Sequence, residues 1–439
     1  MILFFLLTTS SFLYGILQVE ARKELPAIPI EYHSLKNGLK VFLNIDNSLP
    51  VVSVGVGYQV GSLFEKEDKA GLTYLMENLM FQGSRNVGRM QHIRYIQRVG
   101  GVLNAQTSFD RLLLYQTVPS HHLPLVFWLE SDRMNSLNIN PATVRNCIDS
   151  VRDEIKSFIN QDPYLESFFL FNNLLYSDFA YAHFLFGNES NLNKITIDDV
   201  IDFYETFFNP NNAVICVAGD IEPRKTLELI EKYFGSIPAG KESPEIPSPP
   251  SFPEEKREGV YQISKIPSPA LHLGYRVAPA YSNEMYALTL IEYILLKGKS
   301  SRLQKRLLQK ERVATQLQGG LEKKGKAAAF KLFVKSNNLI TLERSKKAIF
   351  AEIDRIKTEL ISVKELEKIK NQFRKDYLNQ FLASEDKILF LCEAFFSGKN
   401  PDNQIDEYKK YLQVTPSDII GIANRYFGNN HVLLEIQVK

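Results

Sequence analysis

Apolar residues recur along this chain at two different periods, and the changes of period mark its elements. In "GLKVFLNI" (38–45) and "VVSVGVGYQV" (51–60) short β-branched runs bounded by turn residues predict strands. In "AGLTYLMENLMF" (70–81), "MQHIRYIQRVG" (90–100) and "ATVRNCIDSVRDEIKSFI" (142–159) the apolar positions fall three and four apart, which predicts helices. A second series repeats this order. A strand "ALHLGYRVA" is followed by a helix "EMYALTLIEYILL", a strand "KAAAFKLFVK", long amphipathic helices from about Leu342 and Val363, and a closing strand "HVLLEIQV". Strands mixed with long helices, without regular βα alternation, predict an α+β fold with largely antiparallel sheets.

Between the two series lies "KESPEIPSPPSFPEEKRE", where five of the 20 prolines fall between Pro244 and Pro253. Such a stretch forms neither a helix interior nor a central strand and predicts a stiff surface linker. The expected organisation is therefore an N-terminal domain at 28–238, a linker at 239–258 and a C-terminal domain at 259–439. The halves also match each other: "VGVGYQVGS" (54–62) lies on "LHLGYRVAP" (271–279), and laying Gly83 on Gly298 puts Glu77 on Glu292 and Leu75 on Leu290. An ordered duplication follows from this match.

Composition removes several functions. With 52 basic and 50 acidic side chains the net charge is +2, too weak a field to argue for nucleic acid as a partner. Three cysteines, Cys147, Cys216 and Cys392, make no disulfide framework, zinc ribbon or CxxC pair. None of the seven histidines lies three or four residues from another. The first 21 residues, beginning "MILFFLLTTSSFLYGIL", read as a signal peptide or an N-terminal anchor, with Val19 and Ala21 forming a small-residue cleavage pattern before Arg22. The chain is thus expected to be exported, periplasmic or tethered to a membrane at its start.

Against this background "KAGLTYLMENLMFQGSRN" resembles the zinc-site helix of the pitrilysin and insulinase metallopeptidases, the family that includes the mitochondrial processing peptidases. The likeness continues through "GGVLNAQTSFDRLLLY", "ESDRM", "VRDEIKSFINQDPY", "PNNAVICVAGDIEP", "KYFGSIPAG", "LGYRVAP" and "GKSSRLQKRLLQKE", covering about residues 30–439. The resemblance implies two homologous domains that form half of a clam-shell chamber. It also implies an H-x-x-E-H motif whose histidines hold zinc and whose Glu is the general base, with a later Glu as third ligand.

Here the motif reads Y-L-M-E-N. Tyr74 and Asn78 occupy the histidine positions, Glu77 keeps the base position, and Glu154, 76 residues beyond Asn78, keeps that of the third ligand. Neither a phenol nor an amide matches an imidazole as a zinc donor. His92, His121, His122 and His183 lack ligand spacing, so no metal is expected on this chain, although catalytic members of the family carry zinc. Glu77 is then a partnered carboxylate left from the site or a retained base, and Glu154 a solvated helix residue or a part of that site.

The family's second catalytic element, an Arg and a Tyr after an S-R-L segment, falls on Leu308 and Thr315, counting from Ser301, Arg302 and Leu303; Arg306 or Arg312 supplies the Arg if the alignment slips. The peptide-cradling edge strand persists, with Gly101, Asn104 and Ala105 in "GGVLNAQTSFD". Asp132 and Arg133 are expected to stabilise the fold. The implied function is a proteolytically inactive, substrate-binding or structural subunit paired with a zinc-bearing sister chain, or with itself. Two alternatives stay open: an active zinc endopeptidase with unusual ligands, and a stand-alone peptide-binding scaffold.

Overall fold

A computed structural model describes residues 28–439 except Lys265. The apolar N-terminal segment (1–21) lies outside the described residues. The N-terminal half runs β1 (Ile30–Ser34), β2 (Lys40–Ile45), β3 (Val51–Tyr58), α1 (Leu72–Leu79), α2 (Gln91–Arg98), β4 (Val102–Thr107), β5 (Leu112–Pro119), α3 (Leu123–Asn135), α4 (Pro141–Gln161), α5 (Leu165–Leu175), α6 (Ile197–Phe207), β6 (Ala213–Gly219) and α7 (Pro223–Phe234). The C-terminal half runs β7 (Arg257–Ile263), β8 (Ala270–Val277), α8 (Glu284–Leu295), β9 (Gln316–Lys324), β10 (Ala327–Lys335), α9 (Leu339–Thr358), α10 (Val363–Asn379), α11 (Ser384–Phe396), α12 (Gln404–Gln413), α13 (Pro416–Tyr426) and β11 (Val432–Val438).

The two sheets repeat one topology. The first is ordered β1-β2-β6-β3-β5-β4 and the second β7-β11-β8-β10-β9, so that, β1 apart, the strands correspond one for one. Each sheet is antiparallel except for one pair, β2 with β6 and β7 with β11. The closing segments correspond as well. Thr196 and Asp199 form a capping box at the start of α6, Thr415 and Asp418 form the same box at the start of α13, and each threonine stands 17 residues before the first residue of the last strand, Ala213 or Val432. After these helices, Phe208 meets Tyr58 at 4.9 Å between ring centroids and Phe427 meets Tyr275 at 5.1 Å.

What joins the halves is an exchange of helices. Along β3, Val52, Val54, Val56 and Tyr58 enter the core of their own half, while Ser53, Gly55 and Gly57 turn small faces to α11 of the other half. The Ser53 and Ser384 hydroxyls lie 2.7 Å apart. In return, α5 of the N-terminal half covers the second sheet, where Phe171 and Leu175 pack with Ala270, Ala329 and Leu434. This two-sided covering explains why β3, β6 and β8 are buried along almost their whole length. The proline-rich segment is pinned to this body: the Tyr181 hydroxyl donates to the Pro247 carbonyl at 2.7 Å, and Arg276 donates to that of Pro250 at 3.2 Å.

In "SRLQKRLLQK" the stretch Gln304–Lys310 winds as a π-helix, closed by the Glu311 N–H on the Arg306 carbonyl at 2.9 Å. Among the described residues no helix is long and apolar enough to cross a membrane.

Candidate functional site: Tyr74, Glu77 and Glu154

Helix α1 is built to hold its residues still. Its N-terminal cap is Gly71, with φ 95°, a conformation suited to glycine. The orphan amides there are satisfied from a distance: Glu65 accepts from the Gly71 N–H at 2.8 Å and from the Thr73 N–H at 2.7 Å, placing a buried carboxylate at the positive end of the helix. Leu72, Leu75, Met76 and Leu79 enter the core, which leaves Tyr74, Glu77 and Asn78 half-buried.

The structure brings Tyr74, Glu77 and Glu154 together. Glu154 stands on α4 near Tyr74, and burial, together with the Glu154 and Glu77 carboxylates, pushes that phenol well above its ordinary range. The Tyr74 ring rests on Phe186, with centroids 5.8 Å apart. Glu77 accepts a hydrogen bond from the Thr107 hydroxyl at the end of β4. Burial raises its carboxyl above the usual value, the Thr107 bond opposes that rise, and the charge of Glu154 adds to it. The Asn78 amide turns back on its own helix and donates to the Tyr74 carbonyl at 3.3 Å.

A raised Glu77 has a definite pH signature. The native state holds the Glu77 proton to higher pH than the unfolded chain does. The stability this confers is complete below the unfolded-state value, about pH 4, and is lost as pH rises through the folded-state value. Glu77→Gln mimics the neutral form and should raise the urea midpoint at pH 8 while leaving it unchanged at pH 4. Equal midpoints at both pH values would contradict this assignment.

The histidines are committed elsewhere. His183 bonds Glu65 at 3.1 Å through Nε2 and the Phe179 carbonyl at 2.8 Å through Nδ1. His92 is buried and bonds Gln116 at 3.1 Å, and the His121 and His122 rings lie tilted against each other with centroids 4.1 Å apart. Among the described residues no three His, Cys, Asp or Glu side chains are grouped to hold a metal. A catalytic zinc requires about three N, O or S donors and a water. A phenol held protonated, an amide turned onto its helix and two carboxylates, one of them raised by burial, do not fit that requirement.

The edge strand β4 meets this group through the bond of Thr107 to Glu77. Among the described residues it pairs only with β5, which leaves its other edge unpaired. Asn104 is exposed; its Nδ2 donates to the Tyr115 hydroxyl at 3.0 Å, and its Oδ1 accepts from the Ala105 N–H at 2.9 Å, which puts that N–H outside the β4–β5 ladder. Gly101 is buried rather than presented: a Cβ there would come within 2.7 Å of Val118 Cγ1 and 2.8 Å of the Thr117 carbonyl oxygen, so glycine lets the strand enter its place. Leu308 packs against the second-half core, and the Thr315 N–H donates to the Lys335 carbonyl at 2.9 Å; no described bond links either residue to Glu77 or Glu154. Asp132 accepts from Ser84 and from the Asn86 N–H at 2.9 Å, tying down the loop after α1, while Arg133 pairs with buried Glu130. Thr107 and Glu65 are the residues the sequence reading missed. Strand alternation puts Thr107 on the same face as Ala105, whereas no local pattern announces Glu65.

Comparison with known proteins decides the family. A model described as insulinase (peptidase family M16) matches residues 40–176, and one described as peptidase M16 inactive domain matches residues 194–373. The chain belongs to the M16 insulinase peptidase family. Zinc protease PqqE of Helicobacter pylori is 28% identical to this M16 chain over 400 residues, 90% of the chain and 89% of the relative. A crystal structure of a protease from Helicobacter pylori superposes with TM-score 0.88 at 26% identity, covering 93% of this M16 chain and all of that one. The periplasmic protease PqqL from Escherichia coli shares the fold at TM-score 0.78 and 18% identity, covering 95% of this chain but 48% of its own length.

Proposed function

We propose that this M16 chain is a proteolytically inactive subunit that holds no zinc, cradles extended peptide along β4, and completes its chamber with a zinc-bearing sister chain. The observation that carries this reading is the fate of the two motif positions: the Tyr74 phenol lies against Glu154 and the Asn78 amide bonds its own helix. The side chains at the motif positions are turned to other partners: the Asn78 amide to the Tyr74 carbonyl and the Glu77 carboxylate to the Thr107 hydroxyl. The sister chain is supported by length, since in PqqL one chain is about twice as long as the part this fold covers. The unpaired edge of β4 and the side chain of Asn104 offer main-chain and amide bonding to a peptide of any sequence. The apolar N-terminal segment supports export to a periplasmic or membrane-tethered location.

The test is affinity isolation of the tagged chain from its host at native abundance, with mass identification of what accompanies it. A family member containing intact H-x-x-E-H should be recovered in about equal amount. Recovery of the chain alone, with or without bound peptide, would contradict the subunit reading and leave the stand-alone scaffold or the unusual-ligand enzyme.

A further inference from the structure

Two of the three cysteines meet although 176 residues separate them. Cys216 lies on β6, in the middle of the first sheet, and Cys392 on α11, the helix the C-terminal half lends to that sheet. Their sulfurs are 3.2 Å apart, closer than the roughly 3.5–4 Å of ordinary heavy-atom contact. Cys216 is fully buried and Cys392 is 1% exposed, in an apolar cluster with Phe42, Leu113, Val214 and Ile388. Cys147 belongs to a different core.

We propose that Cys216 and Cys392 form a disulfide that fastens the two halves of the chain together. Closing a bond of about 2.05 Å requires an approach of roughly 1 Å, which a side-chain rotation and a small helix shift supply. The oxidant is a disulfide of the thiol–disulfide class, protein-borne or glutathione. One cysteine thiolate attacks it, forming a mixed disulfide and releasing one thiol. The second then attacks the mixed disulfide at the first cysteine's sulfur and releases the other thiol. Two protein thiols become one disulfide, and one donor disulfide becomes two thiols. Burial pushes the Cys216 thiol well above its ordinary value, so almost no thiolate exists once α11 has docked. The exchange therefore belongs to folding, before the helix closes over the strand. Afterwards the bond is out of reach of solvent.

The test is to refold the full chain in oxidised and reduced glutathione, denature it without reductant, and alkylate. The expected product takes one alkyl group, on Cys147, and yields a proteolytic peptide joining the segments of Cys216 and Cys392. Its melting temperature should exceed that of the reductant-refolded chain by about 5–10 °C, because the bond closes a long loop. Dithiothreitol should leave the bond intact until denaturant is added. Cys147→Ala should retain the cross-link, and Cys392→Ala should take two alkyl groups. Three alkyl groups per chain in every glutathione buffer, or a linkage through Cys147, would overturn the proposal. Alkylation directly from the host gives one group if the chain is exported and three if it resides among reduced thiols. That count decides the location and leaves the refolding result standing.

Discussion

Replacing Tyr74 and Asn78 together with histidine should create a zinc site where the native residues do not fit one. Positions 74 and 78 lie i and i+4 on α1, one above the other on the same face, and Glu154 already stands beside position 74. With Glu154, the two imidazoles bring the donors to three. The double variant should hold about one zinc per chain after dialysis, with each single variant well below that, since two protein donors do not satisfy a tetrahedral site. Turnover should stay weak, because the positions the family resemblance implies for the second catalytic element are held by Leu308 and Thr315. A folded double variant without zinc would show that Glu154 does not share the site of residues 74 and 78.

The second large effect falls on the seam between the halves. A Cβ at Gly57 would lie 2.8 Å from Cζ of Phe396 on α11, and a Cβ at Gly274 would lie 2.6 Å from Cζ of Phe171 on α5. These glycines correspond in the duplication, and each receives a phenylalanine from the helix exchanged by the other half. Gly57→Val and Gly274→Val should each destabilise the chain by about 3 kcal/mol, through overpacking that lifts a ring and loosens its helix. Urea midpoints measure this. Phe396→Ala should recover at least about 1 kcal/mol in the Gly57→Val background, as residues in contact are coupled. A Gly57→Val chain within about 0.5 kcal/mol of wild type would contradict the exchange.

How far sequence alone could reach follows from these sites. The alternation of valine with serine and glycine in "VVSVGVGYQV" already announced a strand with one bulky and one small face, and its match to "LHLGYRVAP" aligned Gly57 with Gly274 and Tyr58 with Tyr275. The matching T-x-x-D caps at Thr196 and Thr415 were equally readable as a repeat. The absence of histidine spacing was legible without coordinates, because i and i+4 ligands on one helix are a local pattern. The helix exchange was not: α5 and α11 advertise only that they are apolar on most sides, which indicates burial between layers but not which sheet they cover. The same holds for the contact of Cys216 with Cys392, for the bond of Thr107 to Glu77, and for the capping of α1 by Glu65. Each is a meeting of distant segments with no local signal.

The central claim, that this M16 chain holds no zinc of its own, is tested most directly by metal analysis of the native chain purified without chelator, with peptide cleavage assayed on the same sample. The account predicts zinc far below one per chain and no cleavage that a chelator removes. Stoichiometric zinc, with chelator-sensitive turnover that Glu77→Gln abolishes, would contradict it.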